Sequence, residues 1–454
     1  MFRRIAIIGG GAASASLLGE LLDRPLSPPL QVDWYTGGKP PGRGVAYATS
    51  SARHLLNVRA ASMGLYSGQP GGFLEFAQAR GQDVGGKDFL PRCLYGDYLV
   101  EEIDQAVTRG KAHGHEVTPI PADAEAVVPD TGGVTIMQGG QARRMDAAVL
   151  AIGALPPQAL DGVEAAALES GRYVLDPWQL LSQPDPAVPP SHVLLIGSGL
   201  TAADTVVELS ARWPGTRFTL VSVHGRWPGH HPVEVSAPRG GHDGLIDSLH
   251  AQPEVRRWLR LLREAAAEEG DWRSVVDGLR PHTSGLWREL PTAERARFLR
   301  HARSAWERAR HRLPPQVAAA LDELRQADRI ELRSGRIRSV RQGAGGQLRV
   351  VYSHGEAVHE VEAGMVIQTT GLATDARRTP HPLLSQLRDD AHVMPDELGL
   401  GLLATPEGCL RHADGHWPHL LTLGSLLRGT LWECTALPEI RQQARTIANH
   451  LLAA

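Results

Sequence analysis

The chain has 454 residues, enough for about two or three domains at roughly 150 residues each. Its 47 basic and 50 acidic side chains give a net charge of −3, so no basic surface for nucleic acid is expected. No apolar run reaches the roughly 18 residues of a membrane span, and three cysteines are too few for a disulfide framework or a zinc site. We therefore expect a cytoplasmic protein that binds no nucleic acid, membrane or metal.

A short strand pattern near the N-terminus ends in a glycine-rich turn. Residues 4–8 (RIAII) are apolar and lead through Gly9 and Gly11 into a helical pattern. In a dinucleotide-binding βαβ unit the first glycine makes the turn, and the second lets a pyrophosphate approach the backbone. The third position must be small, and here it is Ser14. The helix N-terminus then offers free N–H groups to the phosphates.

The same pattern occurs a second time. Residues 192–196 (HVLLI) lead through Gly197 and Gly199 into a helix that carries Thr201 and Ala202 in its first turn. Ala202 is the small residue at the third position. One such turn is equally consistent with a purely structural role, whereas two in the correct strand–helix context favour nucleotide binding.

Short strands with glycine-rich turns follow each copy. The first set is 125–128, 133–137 and 141–145, closed by 147–152; the second is 330–332, 337–340, 348–352 and 358–361, closed by 365–370. Ordinary hairpins of an α/β protein are the alternative interpretation. The repeat predicts an α/β fold of two nested Rossmann-like dinucleotide-binding domains with β-meanders and a helical insert. We expect the first domain at 1–160 and 373–454, and the second domain at 161–372 with an insert at about 252–326.

Six further segments carry a resemblance to a known group of proteins. They are 42–47 (GRGVAY), 54–58 (HLLNV), 91–99 (PRCLYGDYL), 298–301 (FLRH), 311–315 (HRLPP) and 428–436 (RGTLWECTA). The chain resembles the two-dinucleotide-binding-domain flavoproteins, which include glutathione reductase and the class B flavin monooxygenases. More narrowly, it is similar to a bacterial FAD/NAD(P)-binding protein family within that group. Some members of that family N-hydroxylate amino acids, and many have no assigned reaction.

The resemblance implies that the first turn holds FAD. A carboxylate usually ends the second strand and binds the ribose, but Thr36 stands there in this chain. Its hydroxyl, or the backbone of Gly37 and Gly38, is the alternative ribose partner. Backbone N–H groups at the start of the last helix would face the flavin pyrimidine edge. The predicted FAD contacts are Gly9, Gly11, Ser14, Thr36, Trp432 and Thr435.

The resemblance also implies that the second turn holds a nicotinamide nucleotide. No carboxylate follows the strand at 217–221, where Ser222 and Arg226 instead offer a hydroxyl and a guanidinium. Those groups suit the 2′-phosphate of NADPH, while a solvated loop arginine is the alternative. The predicted NADPH contacts are Gly197, Gly199, Thr201, Ala202, Ser222 and Arg226.

His54 and Asn57 are the predicted catalytic residues. In related flavoproteins their segment crosses the isoalloxazine, so Asn57 would bond flavin or substrate and His54 would donate to a flavin oxygen. A structural role is the alternative for His54. The arginine-rich helices around residues 295–312 suggest a partner for a substrate carboxylate. The predicted substrate contacts there are Arg300 and Arg312, and a solvated helix face is the alternative.

These features predict an oxidoreductase: an FAD-containing, NADPH-dependent flavoprotein monooxygenase acting on a small polar molecule and O₂, by N-hydroxylation of an amine or amino acid. A flavin reductase or dehydrogenase without oxygen transfer would have nearly the same sequence. A non-catalytic FAD-binding partner protein is the third possibility, although it would not need the second glycine turn. We also allow for a homo-oligomer.

Overall fold

The computed structural model describes residues 2–232 and 242–453. The strands are β1 (Arg4–Ile8), β2 (Gln31–Tyr35), β3 (Glu116–Ile120), β4 (Ala126–Asp130), β5 (Gly133–Gln138), β6 (Gln141–Met145), β7 (Ala147–Leu150), β8 (Tyr173–Val174), β9 (His192–Ile196), β10 (Arg217–Ser222), β11 (Ile330–Ser334), β12 (Arg336–Gln342), β13 (Leu348–His354), β14 (Ala357–Ala363), β15 (Met365–Gln368), β16 (Cys409–His412) and β17 (Gly415–Thr422).

Helices cover the faces of the sheets and form most of the segment before β11. They are α1 (Ala12–Leu22), α2 (Gly44–Tyr47), α3 (Gly72–Ala79), α4 (Arg92–Ala112), α5 (Ala165–Glu169), α6 (Pro177–Ser182), α7 (Leu200–Arg212), α8 (Asp243–Ala251), α9 (Val255–Glu269), α10 (Trp272–Gly278), α11 (Thr283–Glu289), α12 (Thr292–His301), α13 (Arg303–Arg310), α14 (Pro315–Gln326), α15 (Pro382–Asp389), α16 (Arg428–Leu431) and α17 (Leu437–Ala453).

The first sheet has six strands in the order β16-β17-β7-β1-β2-β3, parallel except for β16. It is apolar on both faces because both are covered. Ile5 and Ile7 pack with α1 and α17, whereas Ala6 and Ile8 pack with the meander β4–β6. This two-sided burial explains why residues 5–8 are all apolar.

The second sheet repeats this arrangement with five parallel strands in the order β11-β10-β9-β15-β8. Val193 and Leu195 pack with α7 and α14, and Leu194 and Ile196 pack with the meander β12–β14. The strands that lead into Gly9 and Gly197 therefore lie in different sheets, each with its own core.

The sequence analysis did not predict β3, β8, β16 or β17, and it placed one further strand in the wrong sheet. The strand predicted at 330–332 belongs to the parallel sheet, where β11 pairs with β10, rather than to the meander. Its counterpart in the first sheet, β3, was not predicted. β3 is an edge strand whose residues are exposed or half-buried and include Pro119, so it lacks the apolar pattern of a buried strand.

The helical insert comprises α8 to α14. It includes α8, which begins at Asp243 and so precedes the predicted start near residue 252. Ile246 and Leu249 of α8 are buried with Leu286 of α11. Val255 of α9 packs in a cluster with Trp287 and Trp432, and Trp258 and Leu259 pack against it. That cluster joins the insert to the segment before α17.

The second sheet is inserted into the first, which confirms the nested α/β fold. All its strands lie between β7 and β16 in the chain, and the two connecting segments meet at a bridge between Leu155 and Ala373. The domain limits near residues 160 and 372 remain predictions within these connections. In the described ranges, no helix combines the length and apolar character needed to cross a membrane.

Candidate functional site

The first glycines of the two turns share one backbone conformation. Gly9 and Gly197 have φ of +123° and +116°, which side-chain-bearing residues rarely adopt. A Cβ on Gly9 would lie 2.2 Å from the Ala151 carbonyl oxygen, and one on Gly197 would lie 2.6 Å from that of Thr369. Ala151 follows β7 and Thr369 follows β15. Glycine is needed at both places because the closing strand passes directly against the turn.

The second glycines face open space at the start of a helix. Gly11 and Gly199 precede α1 and α7 with φ of −97° and −83°. A Cβ on Gly199 would meet nothing within 4 Å, and one on Gly11 would meet only the Gly44 Cα, at 3.8 Å. Both helix N-termini therefore present backbone N–H groups and a positive dipole end to an accessible anion site.

The small residues predicted at the third position lie beneath the turns. Ser14 is buried, and its hydroxyl donates to the Gly11 carbonyl at 2.7 Å. Ala202 is fully buried in the core of the second domain. Thr201 is half-buried in the first turn of α7, where its carbonyl accepts a hydrogen bond from Thr205 Oγ1 at 2.7 Å. Ser14 and Ala202 therefore let each helix pack closely on its sheet.

Further glycines lie beside the first turn. The Gly42 N–H donates to the Gly10 carbonyl at 2.8 Å, so segment 42–47 crosses the turn. Farther along, Gly153 and Gly424 have φ of +73° and +79°, and a Cβ on either would meet nothing within 4 Å. The Ser425 hydroxyl donates to the Gly153 carbonyl. These residues fit FAD, because a flat, extended dinucleotide needs an open groove beside a helix N-terminus.

Thr36 ends β2 beside the first turn. It is buried, its N–H donates to the Ile120 carbonyl at 2.9 Å, and its hydroxyl lies 3.5 Å from that same oxygen. A Cβ on Gly10 would lie 2.9 Å from the Thr36 carbonyl oxygen. Thr36 thus occupies the expected ribose end of β2, and its contact with FAD remains a prediction.

Ser222 and Arg226 fold back onto the second turn. Ser198 Oγ lies 2.8 Å from Ser222 Oγ and 2.7 Å from the Arg226 carbonyl oxygen. The Gly225 N–H donates to Ser222 Oγ at 3.1 Å. Arg226 is exposed. The predicted nucleotide-binding residues of the second domain are therefore neighbours around one turn.

Two more arginines lie near this loop, and neither was among the NADPH contacts predicted from the sequence. Partial burial lowers the pKa of His224, and the guanidinium groups of Arg308, Arg226 and Arg336 lower it further. Arg308 lies on α13 of the insert and Arg336 begins β12. Three cations near one loop form a site for an anion such as a 2′-phosphate.

His54 lies in the interface between the first domain and α7. Its Nδ1 is 2.7 Å from Thr49 Oγ1, and its ring meets Trp178 edge-on at 5.4 Å between centroids. Nearby, Asp204 of α7 forms a 2.8 Å ion pair with Arg92. Burial lowers the pKa of His54, so the ring is neutral at physiological pH. These contacts favour the structural alternative, and a catalytic role for His54 remains a prediction.

Asn57 lies where the first domain meets the loop after β10. Its carbonyl oxygen is 3.1 Å from His231 Nε2, and the His231 ring packs on Phe89 with centroids 4.8 Å apart. Arg59 donates to the Pro232 carbonyl at 3.1 Å. Asn57 is half-buried at this junction of the two domains and the insert, and its role remains a prediction.

Arg312 approaches the same junction from the insert. It is buried, and its guanidinium donates to both oxygens of Asp277, at 2.9 and 2.8 Å. Arg312 and Arg59 both help to lower the pKa of His231, so the structure brings Arg312 and Asn57 together around His231. Arg300 is exposed on α12. A substrate contact by either arginine remains a prediction.

Trp432 joins the insert to the segment before α17. Its φ is +57°, and its ring stacks on Trp287 with centroids 4.8 Å apart. The Arg428 guanidinium lies 4.5 Å from its ring centre. Thr435 is exposed. The Trp432 indole thus fills the interface with the insert, and the FAD contacts of Trp432 and Thr435 remain predictions.

A cavity of about 390 Å³ lies between the insert and the start of α17. Arg280 and Glu439 form a bidentate pair across it, at 2.6 and 2.9 Å. The carboxylates that line it are Glu407, Glu433 and Glu439, and among the described lining residues Arg280 is the one cation. Its apolar walls are Pro281, Pro406, Leu427, Leu431, Pro438 and Ile447. Arg310 lies 3.8 Å from Glu433 and 3.9 Å from Glu439, so Arg310 and Arg280 already balance these two carboxylates. Glu407 is the remaining carboxylate beside the apolar walls.

Comparison with known proteins agrees with this architecture. Residues 6–155 match a family described as FAD-NAD(P)-binding, which confirms the cofactor class predicted for the first domain. Among curated proteins, no match is found.

Solved structures match the chain over its whole length. The ornithine N-hydroxylase of Kutzneria sp. 744 is 14% identical, with 100% of this chain and 99% of that chain covered and a TM-score of 0.68. The cadaverine monooxygenase DfoA of Erwinia amylovora is 14% identical, with 100% and 95% covered and a TM-score of 0.66. The L-lysine 6-monooxygenase of Pseudomonas syringae is 16% identical, with 99% of each chain covered and a TM-score of 0.62. At these identities the likeness establishes the fold.

Proposed function

We propose that the protein is an FAD-containing, NADPH-dependent monooxygenase that hydroxylates the amine nitrogen of a small polar substrate. One observation carries this proposal: each of two nested parallel sheets ends its central strand in a glycine turn with an open helix N-terminus. Proteins with this fold over the whole chain include hydroxylases of ornithine, lysine and cadaverine.

Each of the two glycine turns would bind one cofactor. The α1 N-terminus and the glycines beside it would hold FAD, and the α7 N-terminus would hold the NADPH pyrophosphate. Arg226, Arg308 and Arg336 would neutralise the 2′-phosphate. When bound, the two cofactors supply hydride transfer and the activation of O₂. The protein contributes alignment and the exclusion of water, so no protein nucleophile is required.

The cavity beside α17 is the proposed substrate site. Glu433 is buried, and one of its oxygens accepts a hydrogen bond from Trp306 Nε1 at 2.8 Å. It also lies 3.8 Å from Arg310. Glu407 lines the same cavity. Glu407 and Glu433 would accept hydrogen bonds from an ammonium group, while the apolar walls would contact the methylene chain. These contacts would suit an amine with an alkyl chain.

Three other functions compete with this proposal. A reductase of disulfides uses a pair of neighbouring cysteines, but Cys93, Cys409 and Cys434 are all free. Burial also raises the pKa of Cys434 to about 12 and raises that of Cys409. A flavin reductase that transfers no oxygen differs only in its products. A non-catalytic FAD protein would not need the arginines beside the second turn.

Glu407→Gln and Glu433→Gln test the substrate site, with the exposed Glu397→Gln as matched control. Losing a charged hydrogen-bond acceptor is worth about 1.5–3 kcal/mol, so the KM for a diamine such as 1,5-diaminopentane should rise roughly tenfold or more. Bound FAD and the KM for NADPH should stay unchanged. Unaltered amine kinetics in both cavity variants would contradict this placement of the substrate.

A further inference from the structure

The first domain lacks the carboxylate that dinucleotide-binding folds place at the end of the second strand. Thr36 ends β2, and Gly37 and Gly38 follow it with φ of +68° and +69°. The Thr36 hydroxyl is directed at the Ile120 carbonyl at a long 3.5 Å. A strong acceptor for the ribose hydroxyls of FAD is therefore missing from β2 itself.

A carboxylate from the next strand reaches the same place. β2 and β3 pair in parallel, with Tyr35 opposite Ile120, so their carboxyl ends lie side by side. The Gly37 N–H donates to the Ala122 carbonyl at 3.2 Å. This contact places Asp123 beside the end of β2.

Gly37 leaves room for that carboxylate. A Cβ at Gly37 would lie 2.8 Å from Asp123 Oδ1, closer than a side chain tolerates. Asp123 is exposed, and within residues 2–232 and 242–453 it makes no side-chain hydrogen bond or ion pair, although its charge acts on the nearby His381. Its carboxylate thus stands at the ribose end of β2 with its acceptor oxygens available.

We propose that Asp123 replaces the missing β2 carboxylate and accepts hydrogen bonds from the adenosine ribose hydroxyls of FAD. This inference rests on the proposed binding of FAD at the first turn. The vicinal hydroxyls are two donors on neighbouring carbons, and an ionised carboxylate offers acceptors for both. The arrangement also explains the glycine after Thr36, because a side chain there would displace the Asp123 carboxylate.

The test is FAD affinity rather than turnover. The flavin is removed from the wild-type protein, from Asp123→Asn and from the exposed control Asp83→Asn, and each apoprotein is titrated with FAD and with FMN, which has no adenosine. Asp123→Asn should raise the Kd for FAD at least about tenfold. It should leave the Kd for FMN unchanged, and Asp83→Asn should bind FAD normally.

Two results would overturn the assignment of Asp123. One is a normal FAD affinity in Asp123→Asn. The other is an equal loss for FAD and FMN, which would point to a general disturbance of the domain. If the wild-type protein bound no FAD at all, the proposed function itself would fail, and this outcome is distinct from both.

Discussion

Acidification should destabilise the protein through His231, which joins the loop after β10 to Asn57. Burial is the main reason that the pKa of His231 falls from 6.5 to about 4, and Arg312 and Arg59 add to the effect. The unfolded chain therefore takes up a proton near pH 6.5, whereas the folded protein takes it up only near pH 4. Stability falls as the pH drops through this interval.

The size of the effect follows from the two pKa values. Between pH 7 and pH 5 the unfolded state gains about three quarters of a proton at this site and the folded state about a tenth, which costs about 2 kcal/mol of unfolding free energy. Below pH 4 both states are protonated, and the loss levels off at about 3 kcal/mol.

Urea unfolding at pH 7 and at pH 5 measures this difference in unfolding free energy. The comparison is His231→Gln, which cannot titrate but keeps a hydrogen-bond donor for the Asn57 carbonyl. Between pH 7 and pH 5, the unfolding free energy of the variant should fall by about 2 kcal/mol less than that of the wild-type protein. Exposed His416→Gln is the matched control and should behave like the wild type. An identical pH dependence in His231→Gln and the wild type would refute the reasoning.

Five further variants probe the nucleotide turns and the insert. Arg226→Ala and Arg308→Ala should each raise the KM for NADPH roughly tenfold or more with little change for NADH; equal effects on both nucleotides would show that neither guanidinium meets the 2′-phosphate. Gly9→Ala should abolish FAD retention, since its Cβ would lie 2.2 Å from the Ala151 carbonyl oxygen, and a normal flavin content after purification would contradict that geometry. Arg312→Ala should lower the unfolding free energy by about 1–3 kcal/mol, because it removes a buried cation from a bidentate pair with a half-exposed Asp277. Arg300→Ala should leave the unfolding free energy unchanged. If either arginine binds a substrate carboxylate, its alanine variant should still oxidise NADPH but release hydrogen peroxide instead of product.

The glycine turns could be predicted because their determinants are local. A strand, a turn and a helix within about 20 residues carry the whole signal, and Gly9 and Gly197 adopt the left-handed φ that this pattern requires. The nesting of the domains followed from repeating that local pattern along the chain. β3 escaped prediction because an exposed edge strand has no apolar alternation to detect.

The surroundings of the turns depend on residues far apart in sequence. Arg308 and Arg336 reach the loop of Arg226 from the insert and from a meander strand, and no spacing rule connects them. Arg312 lies in an arginine-rich segment, yet its guanidinium is held by Asp277, 35 residues earlier. Asp123 was overlooked for the same reason, since only the pairing of β2 with β3 brings it to Gly37.

The most direct test of the central claim is the balance between NADPH consumed and product formed. The purified protein, loaded with FAD, is supplied with NADPH, O₂ and a series of diamines and amino acids, and the hydroxylamine is quantified by mass spectrometry. The proposed monooxygenase predicts that, with its preferred amine, hydroxylamine accounts for nearly all the NADPH oxidised. The claim is contradicted if NADPH oxidation yields only hydrogen peroxide with every amine, or if NADPH does not reduce the bound flavin.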